Sequence, residues 1–147
     1  MTKSQIAEKL FKDGYNCAQA VVGAFSEEIG MNFSDAVKSV SGFGGGMGRM
    51  REVCGAVSGM VFVLSCKYGY DTPIETTLKK ELYSKIQSVA KEFSTMQGSI
   101  ICRDLLPKKD GADTAPQPAQ RTSEYYKTRS CAGCVACAAG ILEKYLR

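Results

Sequence analysis

Seven cysteines and no histidine stand in this 147-residue chain, so any metal ligand, nucleophile or redox group has to be sought among thiols. The lack of histidine removes the Ser-His-Asp and Cys-His nucleophile systems, histidine zinc sites and histidine haem ligation together. A thiolate can bind metal, attack a disulfide or be oxidised, and the unpaired N–H groups at a helix start favour that ionised form. Four cysteines occupy such starts in four separate segments. Asn16, with Gln19 three residues on, forms a capping signal that puts Cys17 in a first turn. Cys54 opens the central helix directly after a glycine-rich loop, with Arg49 and Arg51 nearby to favour its thiolate. Cys102 stands near the start of a short helix and is followed by Arg103, while Ser130 is the candidate N-cap that leaves Cys131 in a first turn. Convergence of Cys17, Cys54, Cys102 and Cys131 on one site is the expectation, against the alternative that each is a small buried hydrophobe.

The remaining thiols read differently. Cys66 lies deep in an apolar helix with Lys67 its one charged neighbour, and is expected to be packing. Cys131, Cys134 and Cys137 form C-x-x-C-x-x-C, the first part of a bacterial ferredoxin motif, but the fourth cysteine and its proline are missing and Ile141 falls at the next ligand position. On a helix at 100° per residue, Cys131 lies mid-way across the apolar face, with Cys134 and Cys137 about 60° and 120° round toward the rim.

Helices must position these groups, because the apolar residues recur at spacings of three and four. We expect an all-α, single-domain helical bundle spanning residues 1–147, with a glycine-rich loop before its central helix; a 44% hydrophobic content supports one core. Thr2 and Gln5 cap a first helix that stops at Gly14. The second runs from Cys17 to Gly30, and Ser34 or Asp35 opens a short one to Val40. The stretch from Gly42 to Gly48 then holds five glycines in seven residues. It fits neither nucleotide-binding glycine motif, so its expected purpose is close backbone approach, with Gly44, Gly45, Gly46 and Gly48 offering N–H groups to sulfur.

The central helix is predicted from Arg51 to Tyr68, ending at Gly69, with Gly55 and Gly59 one turn apart to admit a close neighbour. Thr72, Pro73 and Glu75 supply the cap, first position and third position of the next helix. Its apolar stripe is Ile74, Leu78, Leu82, Ile86, Val89 and Phe93, and it ends near Gly98. A short helix over Ile100–Leu106, an exposed loop over Lys108–Gln120 and a last helix from Cys131 to Leu146 complete the chain.

The N-terminus lacks the continuous apolar centre of a signal peptide, and the longest uncharged apolar run, 53–66, is too short to span a bilayer. A cytoplasmic protein without membrane insertion is expected, in which seven thiols are not a static disulfide framework. The net charge of +4 is spread along the chain without a basic run, which argues against nucleic acid as a partner. Close-packing glycines and the long amphipathic helix are compatible with a homodimer.

Three segments then resemble a known family: Gly14-Tyr15-Asn16-Cys17, Gly42-Phe43-Gly44-Gly45-Gly46-Met47-Gly48 and Cys54-Gly55-Ala56-Val57-Ser58-Gly59. With Cys102-Arg103-Asp104-Leu105 and Cys131 on its terminal helix, the chain resembles the C_GCAxxG_C_C family of redox-active proteins over nearly its whole length. The resemblance implies Cys17, Cys54, Cys102 and Cys131 as the functional quartet. Cys66, Cys134 and Cys137 lie outside that pattern, and Cys134, one turn from Cys131, is the thiol best placed to exchange with a member.

Four thiolates at one site point first to an iron–sulfur cluster, 2Fe–2S in type, carrying electrons to a redox partner protein. Zinc ranks lower, because its cysteine ligands usually come in close pairs, whereas successive members of this quartet stand 37, 48 and 29 positions apart. The second expectation is a metal-free thiol–disulfide oxidoreductase using the same cysteines, with Cys54 attacking and Cys131 also catalytic.

Overall fold

The computed structural model describes residues 1–146. Ten helices follow in chain order among them: α1 (Lys3–Lys12), α2 (Cys17–Ala24), α3 (Phe33–Ser39), α4 (Gly44–Met47), α5 (Gly55–Tyr68), α6 (Thr76–Gln97), α7 (Cys102–Leu105), α8 (Lys108–Ala112), α9 (Ser123–Thr128) and α10 (Cys131–Tyr145). The fold is all-α. Among the described residues, no helix is long and apolar enough to cross a membrane.

Helix α2 lies at the centre because its residues are small and apolar on every side. Ala18, Ala20, Val21, Val22 and Ala24 are all buried, and α1, α5 and α10 pack around them. Gly55 and Gly59 allow α5 to close on α2 as expected. A Cβ at Gly59 would stand 3.0 Å from Val21 Cβ, and one at Gly55 would stand 3.1 Å from both Ala18 N and Cys17 Cβ. Phe11, Phe25, Met60, Leu64, Phe93, Ile141 and Leu142 fill the remaining core.

Several predicted helix ends are met. Thr2–Gln5 and Asn16–Gln19 both form reciprocal capping boxes, and Gly98 ends α6 in the left-handed region at φ 101°. Other boundaries move. Helix α2 stops at Ala24 rather than Gly30, passing into turns. Its cap Phe25 is itself buried, so the core is completed without further helix. Asn32, rather than Ser34 or Asp35, caps α3 by accepting from the Asp35 N–H. Helix α6 begins at Thr76 with Glu75 as its cap, which leaves Pro73 in the preceding turn. The first part of its stripe is not core: Ile74 and Leu78 are exposed, whereas Leu82, Val89 and Phe93 are buried. The segment expected as a loop over Lys108–Gln120 holds α8, one turn opened by Pro107, and the six-residue α9 follows at Ser123.

The most consequential shift concerns the central helix. It starts at Gly55, four residues later than predicted, because Arg51 is left-handed at φ 62° and residues 52–54 pair with the segment before α7. Val53 and Ile101 form an isolated antiparallel bridge; Cys54 N–H donates to Ile100 O at 2.7 Å and Cys102 N–H donates to Glu52 O at 2.7 Å. Side chains alternate across such a pair, so Cys54 and Cys102, each one position from the bridge, fall on the same face.

Candidate functional site

Four elements deliver thiols to one small cavity. Cys17 opens α2, Cys131 opens α10, Cys54 is the residue before α5, and Cys102 opens α7; all four line a cavity of about 60 Å³. Cys134 lines it too, one turn along α10, and is more deeply buried than its wheel position implied, at 1% exposure. The packing of α10 against α2 and α5 turns that face inward, so the rim placement expected for Cys134 is corrected. Cys66 and Cys137 stand apart from the cavity. Cys66 is exposed rather than packed, on the outer side of α5 near its end, and Cys137 lies 3.8 Å from Met96 Sδ. All seven thiols are free.

The glycine loop makes this convergence possible through contact rather than through a phosphate cradle. Gly45, Gly46 and Gly48 all have positive φ, as do Met47, Arg49 and Arg51, a run of strained positions that reverses the chain beside the thiols. Gly46 is the tightest of them: a Cβ there would meet Cys102 Cβ and Glu52 N at 2.7 Å. Gly45 and Gly46 line the cysteine cavity, whereas Gly44 and Gly48 border a second, outer cavity, so the expected four-glycine wall is shared between two spaces.

The electrostatics are set by arginines. Arg51, Arg121 and Arg129 line the cysteine cavity, and no Asp or Glu does. Arg51 is 2% exposed, and its Nη1 donates to Cys102 Sγ at 3.8 Å, while Nη2 has no hydrogen-bond partner among the described residues. The expectation that Arg49 and Arg51 would ionise Cys54 therefore needs correction, since Arg51 reaches Cys102. Hydrogen bonding to Cys134, then burial, pushes the Cys54 thiol well up, against the opposing pull of the Ala56 and Val57 N–H groups. Burial raises Cys102 as well, with Arg51 acting against it.

Cys131 carries the ionisable thiol instead. A hydrogen bond from Cys17, aided by Arg129, Arg121 and Arg51, lowers it to about 7 against the effect of burial. Cys17, the donor of that bond and half-buried, is pushed well up, first by the bond to Cys131 and then by desolvation. Cys134 is lowered, chiefly by a hydrogen bond from Cys54, and its own thiol points to Gln97 Oε1 at 3.6 Å. The thiols thus influence one another's ionisation two by two, Cys17 with Cys131 and Cys54 with Cys134, and Cys102 faces Arg51. Among the described residues no three Cys, Asp or Glu side chains converge on a point as a single metal ion would require.

A direct consequence concerns reactivity. In metal-free protein, iodoacetamide should modify Cys131 with a midpoint near pH 7, because the thiolate is the nucleophile and Cys131 gains it as pH rises through that value. Cys17→Ala removes the donor and should move the midpoint upward. Peptide mass spectrometry across a pH series measures both, and a Cys131 midpoint in the ordinary thiol range would contradict the pairing.

Arg121 and Arg129 were not singled out from the sequence, although Arg121, Tyr125 and Arg129 recur at spacings of four. Arg121 donates to Phe11 O at 2.7 Å and Tyr15 O at 3.0 Å and lies 4.2 Å from the centre of the Phe11 ring. Arg129 lies 4.4 Å from the Tyr125 ring centre and pairs with Asp110. Together they fix the approach to α9 and the start of α10 over the thiols.

Comparison with known proteins agrees with this picture at the level of the family. The family model described as "Putative redox-active protein (C_GCAxxG_C_C)" matches residues 15–145, which takes in all seven cysteines and the glycine loop. A protein of Archaeoglobus fulgidus, described as uncharacterized, is 27% identical over 109 residues, covering 69% of this chain and 72% of its own. No solved structure matches the chain.

Proposed function

The chain belongs to the C_GCAxxG_C_C family of redox-active proteins, and on that premise we propose that its cysteine cavity holds an iron–sulfur cluster, 2Fe–2S in type, and exchanges electrons with a partner protein. The observation that carries this reading is the meeting of thiols from four separate segments in one cavity that is walled by arginines and, among the described residues, free of carboxylates. A thiolate-held cluster is anionic, and the buried Arg51, with an unpartnered Nη2, is suited to such a neighbour. Cysteine thiolates are the ligands of such clusters.

Cys17, Cys54, Cys102 and Cys131 are the proposed ligands, with Cys134 the thiol able to exchange with Cys102. When bound, the cluster supplies one-electron transfer. The chain's own residues exclude water, supply the thiolates and set the charge around them. Arg51, Arg121 and Arg129 favour the more negative, reduced state. Phe43, Met47 and Met50 stand exposed on the neighbouring loop and support docking of a partner there. The exposed Ile74, just before α6, and Leu78 on it support the homodimer reading.

Serine replacements test the ligand set. After anaerobic reconstitution, Cys17→Ser, Cys54→Ser and Cys131→Ser should each lose most of the iron bound by the parent chain, while Cys66→Ser and Cys137→Ser should retain it. Cys102→Ser and Cys134→Ser, compared side by side, identify the fourth ligand. Equal iron in every variant would overturn the site.

A second reading is favoured by the Cys17–Cys131 pair. Without metal, the Cys131 thiolate would attack a substrate disulfide, forming a mixed disulfide and releasing one substrate thiolate. Cys17, losing its proton to solvent, would then attack Cys131 sulfur and release the second substrate thiolate. The products are a Cys17–Cys131 disulfide and a dithiol, so two electrons pass to the substrate. In this reading Cys131 replaces Cys54 as the attacking group, because its thiol is the one lowered to about 7.

A further inference from the structure

Beyond the thiols lies a second cavity of about 410 Å³, separated from the first by a shared wall that includes Arg51, Arg121, Tyr125 and Arg129. Its lining adds Arg49, Pro116, Pro118 and Ala119, so four guanidinium groups border it and, among the described residues, no carboxylate does. Two of those charges are already matched: Arg49 pairs with Asp113 at 3.4 Å and Arg129 with Asp110 at 3.3 Å. The other two are not. Arg121 donates to the carbonyls of Phe11 and Tyr15 and to Tyr126 Oη, all neutral acceptors. Arg51 donates from Nε to Asp113 O and from Nη1 to Cys102 Sγ, and its buried Nη2 donates to no described residue.

A buried guanidinium without an anionic partner carries a large desolvation cost, and an unmade hydrogen bond adds to it. Arg51 is such a group, and together with the half-buried Arg121, whose acceptors are all neutral, it matches the charge of a dianion; their planar forks suit the oxygens of a phosphate or sulfate. From these contacts we infer that the outer cavity is a binding site for a small dianionic oxyanion, held by Arg51 and Arg121. Arg49 and Arg129 add to the field. Arg51, Arg121 and Arg129 wall both cavities, so the inference shares these side chains with the cluster reading, and it stands on the outer cavity that they border together with Arg49.

Inorganic sulfate is the probe. Titration calorimetry on the anaerobically purified chain, against a sodium chloride background of matched ionic strength, should give saturable binding of one sulfate per chain, at least tenfold tighter than acetate. Arg51→Gln should weaken it at least tenfold. Because Arg51 is buried and its loss can disturb the fold, Ala119→Glu is the second variant. Ala119 is exposed on the cavity wall, and a carboxylate there would pair with the arginines and displace sulfate, again by at least tenfold, with an unchanged melting temperature. Heats no different from the chloride control, or sulfate binding unaltered by Ala119→Glu, would overturn the inference. Iron measured on the same preparation separates this outcome from that of the cluster reading, since either can fail alone.

Discussion

Gly46→Ala should destabilise the chain by about 2–5 kcal/mol, from left-handed backbone strain of roughly 1–2 kcal/mol and overpacking of roughly 1–3 kcal/mol. The reason is local and double. Gly46 sits at φ 72°, a conformation an L side chain adopts at a cost, and its missing Cβ is the space into which Cys102 Cβ and Glu52 N fit at 2.7 Å. Neither neighbour is the end of a flexible side chain. Cys102 is anchored through its N–H to Glu52 O, and Glu52 N–H donates to Gly46 O at 2.9 Å, so a methyl group must push apart the contact that sets Cys102 beside Cys54. Urea unfolding followed by circular dichroism measures the loss, and iron retention on reconstitution should fall with it. Gly133→Ala on α10, where a Cβ meets nothing within 4 Å, is the control expected to leave both unchanged. A Gly46→Ala protein as stable as the parent would mean that the loop does not hold Cys102 as described.

Arg121→Ala should cost at least about 3 kcal/mol, since its two hydrogen bonds from a charged donor are worth roughly 1.5–3 kcal/mol each and its position over a ring adds to them. This side chain fastens the segment before α9 to the corner between α1 and α2 by donating to Phe11 O and Tyr15 O. Its guanidinium also lies near the rings of Phe11, Tyr125 and Tyr126. Lysine cannot reproduce a fork to two carbonyls, so Arg121→Lys should recover less than half of the loss. The Cys131 alkylation midpoint gives a second readout, rising in Arg121→Ala because one of the charges that lowers it is gone. A destabilisation below about 1 kcal/mol would class this arginine with ordinary surface residues.

What could be read from the sequence follows from the range of the interactions involved. The capping boxes at Thr2 and Asn16 and the glycine stop at Gly98 are local, formed within a few residues, and the structure has them where the residue types placed them. Gly55 and Gly59 were legible for a related reason: two bare positions one turn apart mark a close helix approach whatever the partner, and the partner proved to be α2. The start of α5 was not legible. Arg51 to Cys54 are apolar or helix-compatible by type, and only pairing with a segment some fifty residues away draws residues 52–54 out of the helix.

The same distinction separates the cysteines. Helix-start chemistry singled out Cys17, Cys54, Cys102 and Cys131, and all four line one cavity. The ionisation of each was not local, because Arg51 turned toward Cys102 and Cys17 lowers the Cys131 thiol from another helix. Cys134 was misjudged because a helical wheel centred on the apolar residues of α10 does not know that α2 and α5 press on a slightly different face. Cys66 was misjudged because the apolar character of 53–66 hid an outward face near the end of α5. Arg121 acts through carbonyls more than a hundred residues earlier in the chain, a relation no spacing rule carries.

The most direct test of the proposed site is iron and acid-labile sulfide per chain, with a visible absorption spectrum, on protein purified without oxygen. The account predicts iron and sulfide in equal amounts, two of each per chain, with visible absorption that disappears in Cys54→Ser. Protein that contains neither, and takes up neither on anaerobic reconstitution, would contradict the cluster and leave the Cys17–Cys131 pair as the redox group.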